Sequence, residues 1–267
     1  MIGTRGHDLG GRMSAQSLAA LARKADLDSV QLVAYRSLKG IGEEPGFLTH
    51  GYAEKVKSAF LKEDIRIALL GCYINIMHDD LDKFKEYLTY ANSFGAYMVG
   101  TETGSVNPDY SFNTENHSEE AFLKVVGIVK ELCTYAEKFG AVVGIEAVHC
   151  HVVHTPEKMK RLLDLVDSPN IQVIFDPVNL LTLENHHNRK DIIVRSLELY
   201  GNKVAIVHIK DYIIENNQMT MVPIGRGLMD FKHLLALLQQ YKYDVDMIIE
   251  DYQDNELIES INYLKNL

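Results

Sequence analysis

Residues 142–176 read VVGIEAVHCHVVHTPEKMKRLLDLVDSPNIQVIFD. The run Val142–Glu146 is apolar and β-branched up to its closing carboxylate, as expected of a strand buried on both faces. Thr155, followed by Pro156 and Glu157, marks a helix start, because a hydroxyl caps free N–H groups and proline fits the first turn. A second buried run, Ile171–Phe175, then ends in Asp176. Strand, helix and strand follow one another here, and each strand ends in a carboxylate.

The same alternation runs outward to both ends of the chain. Strands are expected at Ile2–Arg5, Ser29–Ala34, Ile65–Leu70, Tyr97–Gly100, Val204–Ile209 and Asp246–Glu250, in addition to the two above. Ser14, Ser118 and Asp230 stand before amphipathic segments as further helix caps, and Gly95, Gly140 and Gly201 are expected to end helices in the left-handed conformation. No linker, low-complexity tract or repeat marks a boundary, so residues 1–267 are read as one domain. Eight β-then-α units without a long strand-only region favour a closed parallel (β/α)8 barrel, the TIM barrel, over an open doubly wound sheet.

A chain of 267 residues, 46% hydrophobic and 24% charged, has the size and apolar mass of one such barrel. Met1 to Gly11 holds no apolar run of signal-peptide length, and no later stretch approaches the ~18 apolar residues of a membrane span, so a cytoplasmic location without membrane contact is expected. Cys72, Cys133 and Cys150 are odd in number and lack C-x-x-C spacing, which predicts free thiols. The formal charge of −10 disfavours nucleic acid as a partner. Association into homo-oligomers is left open.

A barrel of this kind carries its chemistry at the C-terminal ends of its strands, which makes polar residues closing apolar runs informative. Four strands end this way, with Glu146, Asp176, His208 with Lys210, and Glu250. Alternate residues of a strand share a face, so Gly144 and Glu146, Ile174 and Asp176, Ile206 with His208 and Lys210, and Ile248 and Glu250 can all point inward together. Three carboxylates and an imidazole suit one divalent metal ion, Mn, Mg, Co or Zn, with positions left open for substrate oxygens.

Other residues near strand ends are candidates for substrate binding. Lys210 can polarise a substrate oxygen or pair with a site carboxylate, and Asn179 can bond a hydroxyl or shape a turn. Arg226, between Gly225 and Gly227, can meet a hydroxyl, carboxylate or phosphate, or lie in a solvated turn. Of His149, His151 and His154, one is expected to contact substrate, with His149 the choice, and none to form a metal tract. His7, Glu102 and Cys72 are expected to complete the pocket wall.

The ordered set GIEAV, FDPVNLL, VHIKDY followed by PIGRGLMDF, and IIEDY resembles the xylose isomerase-like TIM-barrel superfamily. That superfamily holds sugar isomerases, ketose epimerases, inosose dehydratase and isomerase, hydroxypyruvate isomerase and endonuclease IV. The resemblance implies Glu146, Asp176, His208 and Glu250 as metal ligands, with Glu146 and Glu250 doubling as acid and base. The chain departs from the endonuclease and many ketose epimerases at Asn179, where those branches carry His. It lacks the Asp-x-His of the trinuclear endonuclease site, and Val152 stands where ketose epimerases have a second Glu. A mononuclear site acting on a sugar-like small molecule, sugar phosphate or inosose is therefore expected. Two glutamates and a metal permit proton transfer beside a carbonyl through an enediolate, giving isomerisation or epimerisation, or dehydration where a β-hydroxyl leaves. A phosphodiesterase and a non-catalytic sugar-binding barrel are the remaining alternatives.

Overall fold

Strands that are apolar on both faces need two cores, one inside the sheet and one between sheet and helices, and closing the sheet on itself provides both. In the computed structural model, which describes residues 1–241, 245–252 and 256–267, this closure is complete. β1 (Ile2–Arg5), β2 (Ser29–Leu32), β3 (Arg66–Gly71), β4 (Met98–Glu102), β5 (Val142–Glu146), β6 (Ile171–Phe175), β7 (Val204–Ile209) and β10 (Asp246–Ile249) form one barrel, with β1 between β10 and β2. All neighbouring pairs in it are parallel.

The helices pack outside: α1 (Ala15–Lys24), the single turn α2 (Ala34–Ser37), α3 (His50–Lys62), α4 (Leu81–Phe94), α5 (Glu119–Glu137), α6 (Pro156–Val166), α7 (Arg189–Tyr200), α8 (Phe231–Gln240) and α9 (Leu257–Lys265). Ser14, Ser118, Thr155 and Asp230 cap α1, α5, α6 and α8, each accepting from a backbone N–H three residues on. Among the described residues no helix is long and apolar enough to cross a membrane.

The inner core is small and follows the expected parity. Ile174, Ile206 and Ile248, each two residues before a site residue, meet Ala68, Leu69 and Met98 in the barrel interior. Gly100 and Gly144 on neighbouring strands leave room for them. A Cβ on Gly100 would lie 2.5 Å from Ile174 Cδ1 and 2.7 Å from Leu69 Cδ1, and one on Gly144 would lie 2.7 Å from Met98 Sδ. At the opposite end of the barrel Asp246 accepts from Ser29 Oγ at 2.7 Å and from the exposed Arg66 at 2.7 Å, a tie between β2, β3 and β10 at the barrel rim.

Several boundaries differ from expectation. β2 stops at Leu32 because Ala34 opens α2, β3 starts one residue later than expected, and β4 runs from Met98 to Glu102, which makes Glu102 its last residue. Glu250 lies just past β10. Gly201 is right-handed, with φ −49°, and opens a 3-10 turn rather than a left-handed cap; a Cβ there would come within 3.0 Å of the Tyr241 ring. The chain also contains a strand-only excursion absent from the sequence reading, the antiparallel hairpin β8 (Asp211–Glu215) and β9 (Gln218–Val222). Its tip, Asn216 and Asn217, has φ of 49° and 58°, the two left-handed residues of a tight hairpin turn.

Candidate active site

Each strand that ends in a polar residue delivers it to the same end of the barrel. Glu146, Asp176 and His208, from β5, β6 and β7, are all buried, and one ligand-type atom of each lies within 4.8 Å of the others. His208 Nδ1 is 3.2 Å from Glu146 Oε2 and 3.5 Å from Glu250 Oε1. Glu250 stands beside the trio, its other oxygen 3.4 Å from Lys210 Nζ and 3.6 Å from Arg5.

Hydrogen bonds fix these groups from behind. Asp176 Oδ1 accepts from the backbone of Val178 and Asn179 at 2.8 and 3.0 Å, which turns Oδ2 toward the cluster. Asn179 donates to Glu146 Oε1 at 2.5 Å and accepts from Lys210 at 3.2 Å. Lys210 Nζ also lies 3.0 Å from Asp176 Oδ2 and 2.9 Å from Asp251 Oδ2. Two fully buried atoms, Asp176 Oδ2 and His208 Nδ1, are met only by charged side chains, the first by Lys210 and the second by Glu146 and Glu250.

The electrostatics reflect this crowding. Burial alone would lower His208, but Glu250 and Glu146 raise it to about 9. Burial pushes Asp176 up to about 6 against the pull of Lys210. Glu146 is held below the ordinary carboxylate range, because His208, Lys210 and Asn179 outweigh its burial. The Lys210 ammonium is held well above its usual value, since Asp176, Glu250 and Asp251 outweigh desolvation. Glu102 is pushed up to about 8 by burial and by repulsion from Glu146 and Glu250.

A cavity of about 400 Å³ opens above these residues, within the range of small-molecule sites. Glu102, Glu146 and Glu250 line it, with Tyr73 and Tyr110 on its walls and Arg5, His7, Gln31 and Arg36 from the first two strand ends.

The other sequence candidates divide. His7 and Glu102 line the cavity. Asn179 and Lys210 instead brace the carboxylates. His149 is exposed against the Asn179 carbonyl, 3.2 Å away, whereas its neighbour His151 is buried 3.5 Å from Glu102 Oε2 and edge-on to Tyr110. His154 stacks on His117 at 3.6 Å. Arg226 points outward to Glu259 at 2.5 Å, because Asp211 accepts the backbone N–H groups of Gly225, Gly227 and Met229 and holds that loop against the hairpin. Cys72 lies in the outer core, fully buried, its thiol pushed up to about 12 by desolvation. Cys72 is thus not on the expected wall, His149 lies outside the cavity lining, and of the two roles open to Arg226 the structure shows the exposed turn: following a strand end sets a residue's height on the barrel, and the loop sets its direction.

Sequence reasoning missed Arg5, Gln31, Arg36, Tyr73 and Tyr110 on the cavity wall and Asp211 beneath the loop. Gln31 carried a signal, being a polar residue inside the otherwise apolar run VQLVA. The tyrosines lie in loops whose course no periodicity encodes.

The xylose isomerase-like TIM barrel family model matches residues 19–267. An inosose dehydratase of Clostridium perfringens is 24% identical over 87% of this chain and 85% of its own length. An uncharacterised protein of Methanocaldococcus jannaschii is 24% identical over 64% of this chain, which spans 58% of that relative. Among solved structures, a "probable 3-DHS dehydratase" of Bacillus anthracis superposes with a TM-score of 0.76 at 16% identity, covering 99% of this chain and 98% of that one. A 3-keto-D-glucoside 4-epimerase of E. coli reaches 0.74 at 15%, covering 100% and 99%. A Mycobacterium smegmatis barrel in complex with magnesium reaches 0.72 at 16%, covering 95% and 89%. With a family model spanning nearly all of the barrel, the chain belongs to the xylose isomerase-like TIM-barrel family.

Proposed function

We propose that the protein is a divalent-metal-dependent isomerase or epimerase that moves a proton on carbon beside the carbonyl of a sugar-like small molecule. The observation carrying this is the convergence of Glu146, Asp176 and His208 within 4.8 Å under a cavity lined by two further glutamates. In that trio the buried Asp176 Oδ2 and His208 Nδ1 are met only by charged side chains, Lys210 for the first and the two glutamates for the second, and a set of carboxylate oxygens with an imidazole nitrogen suits Mn, Mg, Co or Zn. The residues present therefore fit one metal ion, held by the trio with Glu250 beside it. Such an ion supplies positive charge next to a substrate carbonyl.

The chain's own groups do the rest. Glu146 and Glu250 reach the cavity from β5 and from the end of β10, so one can remove a proton and the other return it. Asn179 and Lys210 hold them in place, and Arg5 and Lys210 match the charge of Glu250. Glu102, protonated at neutral pH, presents an O–H donor to a substrate hydroxyl. The same proton abstraction ends in dehydration where a β-hydroxyl leaves, a second reading favoured by the likeness to inosose dehydratase.

Elemental analysis should find one divalent ion per chain, and the Mn²⁺-loaded protein should exchange the α-proton of keto-sugars or inososes with deuterated water, as read by NMR. Glu146→Gln and Glu250→Gln, metal-replete, should exchange about 10²–10⁴-fold more slowly. Three metals per chain, or full exchange after chelation, would overturn the reading.

A further inference from the structure

Resting on that reading, the charge distribution around the cavity narrows the substrate class. In the eight-strand ring β1 lies diametrically across from β5, and β2 across from β6. Glu146, at the end of β5, thus lines one side of the cavity, and the residues that follow β1 and β2, His7 and Arg36, line the other.

The cations in and around the cavity are not equivalent. Arg5 is committed to Asp8 at 2.6 Å, Asp251 at 3.0 Å and Glu250 at 3.6 Å. Lys210 is committed to three carboxylates. Arg36 is exposed at the cavity and, among the described residues, has no carboxylate within ion-pair distance; its guanidinium lies 5.4 Å from the Tyr35 ring centroid. Beside it in the lining, His7 buries an Nδ1 that has no hydrogen-bond partner.

A neutral polyol needs no unmatched guanidinium. An anionic group would be repelled by Glu146 and Glu250 and would settle on the β1–β2 side, where a planar fork of donors matches a carboxylate or phosphate. We infer that Arg36 and His7 form an anion seat, and that the substrate carries a carboxylate or phosphate at the end opposite its reacting carbonyl. The seat sets which end of the molecule reaches Glu146, so it orients as well as binds.

Calorimetric titration of the Mn²⁺-loaded protein with D-fructose, D-fructuronate and D-fructose 6-phosphate tests this. At least one anionic probe should bind more than about tenfold more tightly than D-fructose, and whichever of the two does so identifies carboxylate or phosphate as the group seated. Arg36→Ala should remove about 10- to 100-fold of affinity for that probe while leaving D-fructose unchanged, and Arg36→Lys should restore part of it. Absence of any margin in the parent, whether the three probes bind alike or none binds, overturns the inference. So does a margin that survives Arg36→Ala, or a loss shared equally by all three probes. Because binding is read without turnover, failure of the proposed reaction would appear separately, as missing metal-dependent proton exchange with the margin intact.

Discussion

Gln31 holds His208 from across the barrel: His208 Nε2 and Gln31 Oε1 are 2.8 Å apart and both side chains are buried. A carbonyl oxygen only accepts, so Nε2 carries the hydrogen and Nδ1 faces Glu146 and Glu250. Gln31 donates in turn to the Tyr73 hydroxyl at 3.0 Å, which locks its own orientation. Gln31→Leu keeps the volume and removes that anchor. Metal affinity, measured by competition with a chelator, should fall about 10- to 100-fold while the far-ultraviolet spectrum stays unchanged.

Metal uptake should be coupled to proton release. In the metal-free protein the two glutamates hold His208 protonated up to about 9, and an imidazolium cannot ligate. Affinity should therefore rise with pH, by about tenfold per unit across neutral pH, and level off near pH 9. Titrations at pH 6.5, 7.5 and 8.5 in buffers of different ionisation enthalpy would show it. A flat profile would mean that His208 is not displaced from its proton.

Lys210 balances Asp176, Glu250 and Asp251 at 3.0, 3.4 and 2.9 Å. Lys210→Met would leave carboxylates crowded and unmatched in a buried site, a change that costs about 3–5 kcal/mol. The metal-free variant should lose that much stability in urea unfolding. Saturating Mn²⁺ should recover more of it than it adds to the parent.

His151 gives the fold an acid-sensitive element away from the trio. Burial lowers its imidazole to about 4, with Glu146 opposing, against an ordinary 6.5. Between those values the unfolded chain binds more protons than the folded one, so stability is complete above pH 6.5 and is lost as pH falls toward 4. The parent should lose about 2 kcal/mol between pH 7 and pH 5 through this group. His151→Phe should flatten that part of the profile, measured as urea midpoints.

The barrel and the trio were legible because both follow from strand periodicity. A run buried on both faces names a barrel strand, and parity two residues beyond Ile174, Ile206 and Gly144 names the inward side chains Asp176, His208 and Glu146. What escaped was set by loops. The hairpin at 211–222 hides behind a strand it directly continues, separated from β7 by Lys210 alone. Asp211, one residue out of phase with Lys210, turns to collect backbone N–H groups that no spacing rule foretells. Arg226 and Cys72 occupy suitable positions in the order of the chain and unsuitable directions in space.

Gly100, by leaving the space that Ile174 Cδ1 and Leu69 Cδ1 fill, makes the three positions a single unit of inheritance. Gly100 cannot enlarge alone: Gly100→Ala would meet both Ile174 Cδ1 and Leu69 Cδ1, so it is accommodated only when both of those side chains give way. Asp176 follows two residues after Ile174, so such an exchange would raise or lower a site carboxylate without altering any residue that meets a ligand. Lineages of this fold could therefore retune the depth of the reaction chamber through coupled substitutions in its floor while every residue at the mouth stays the same.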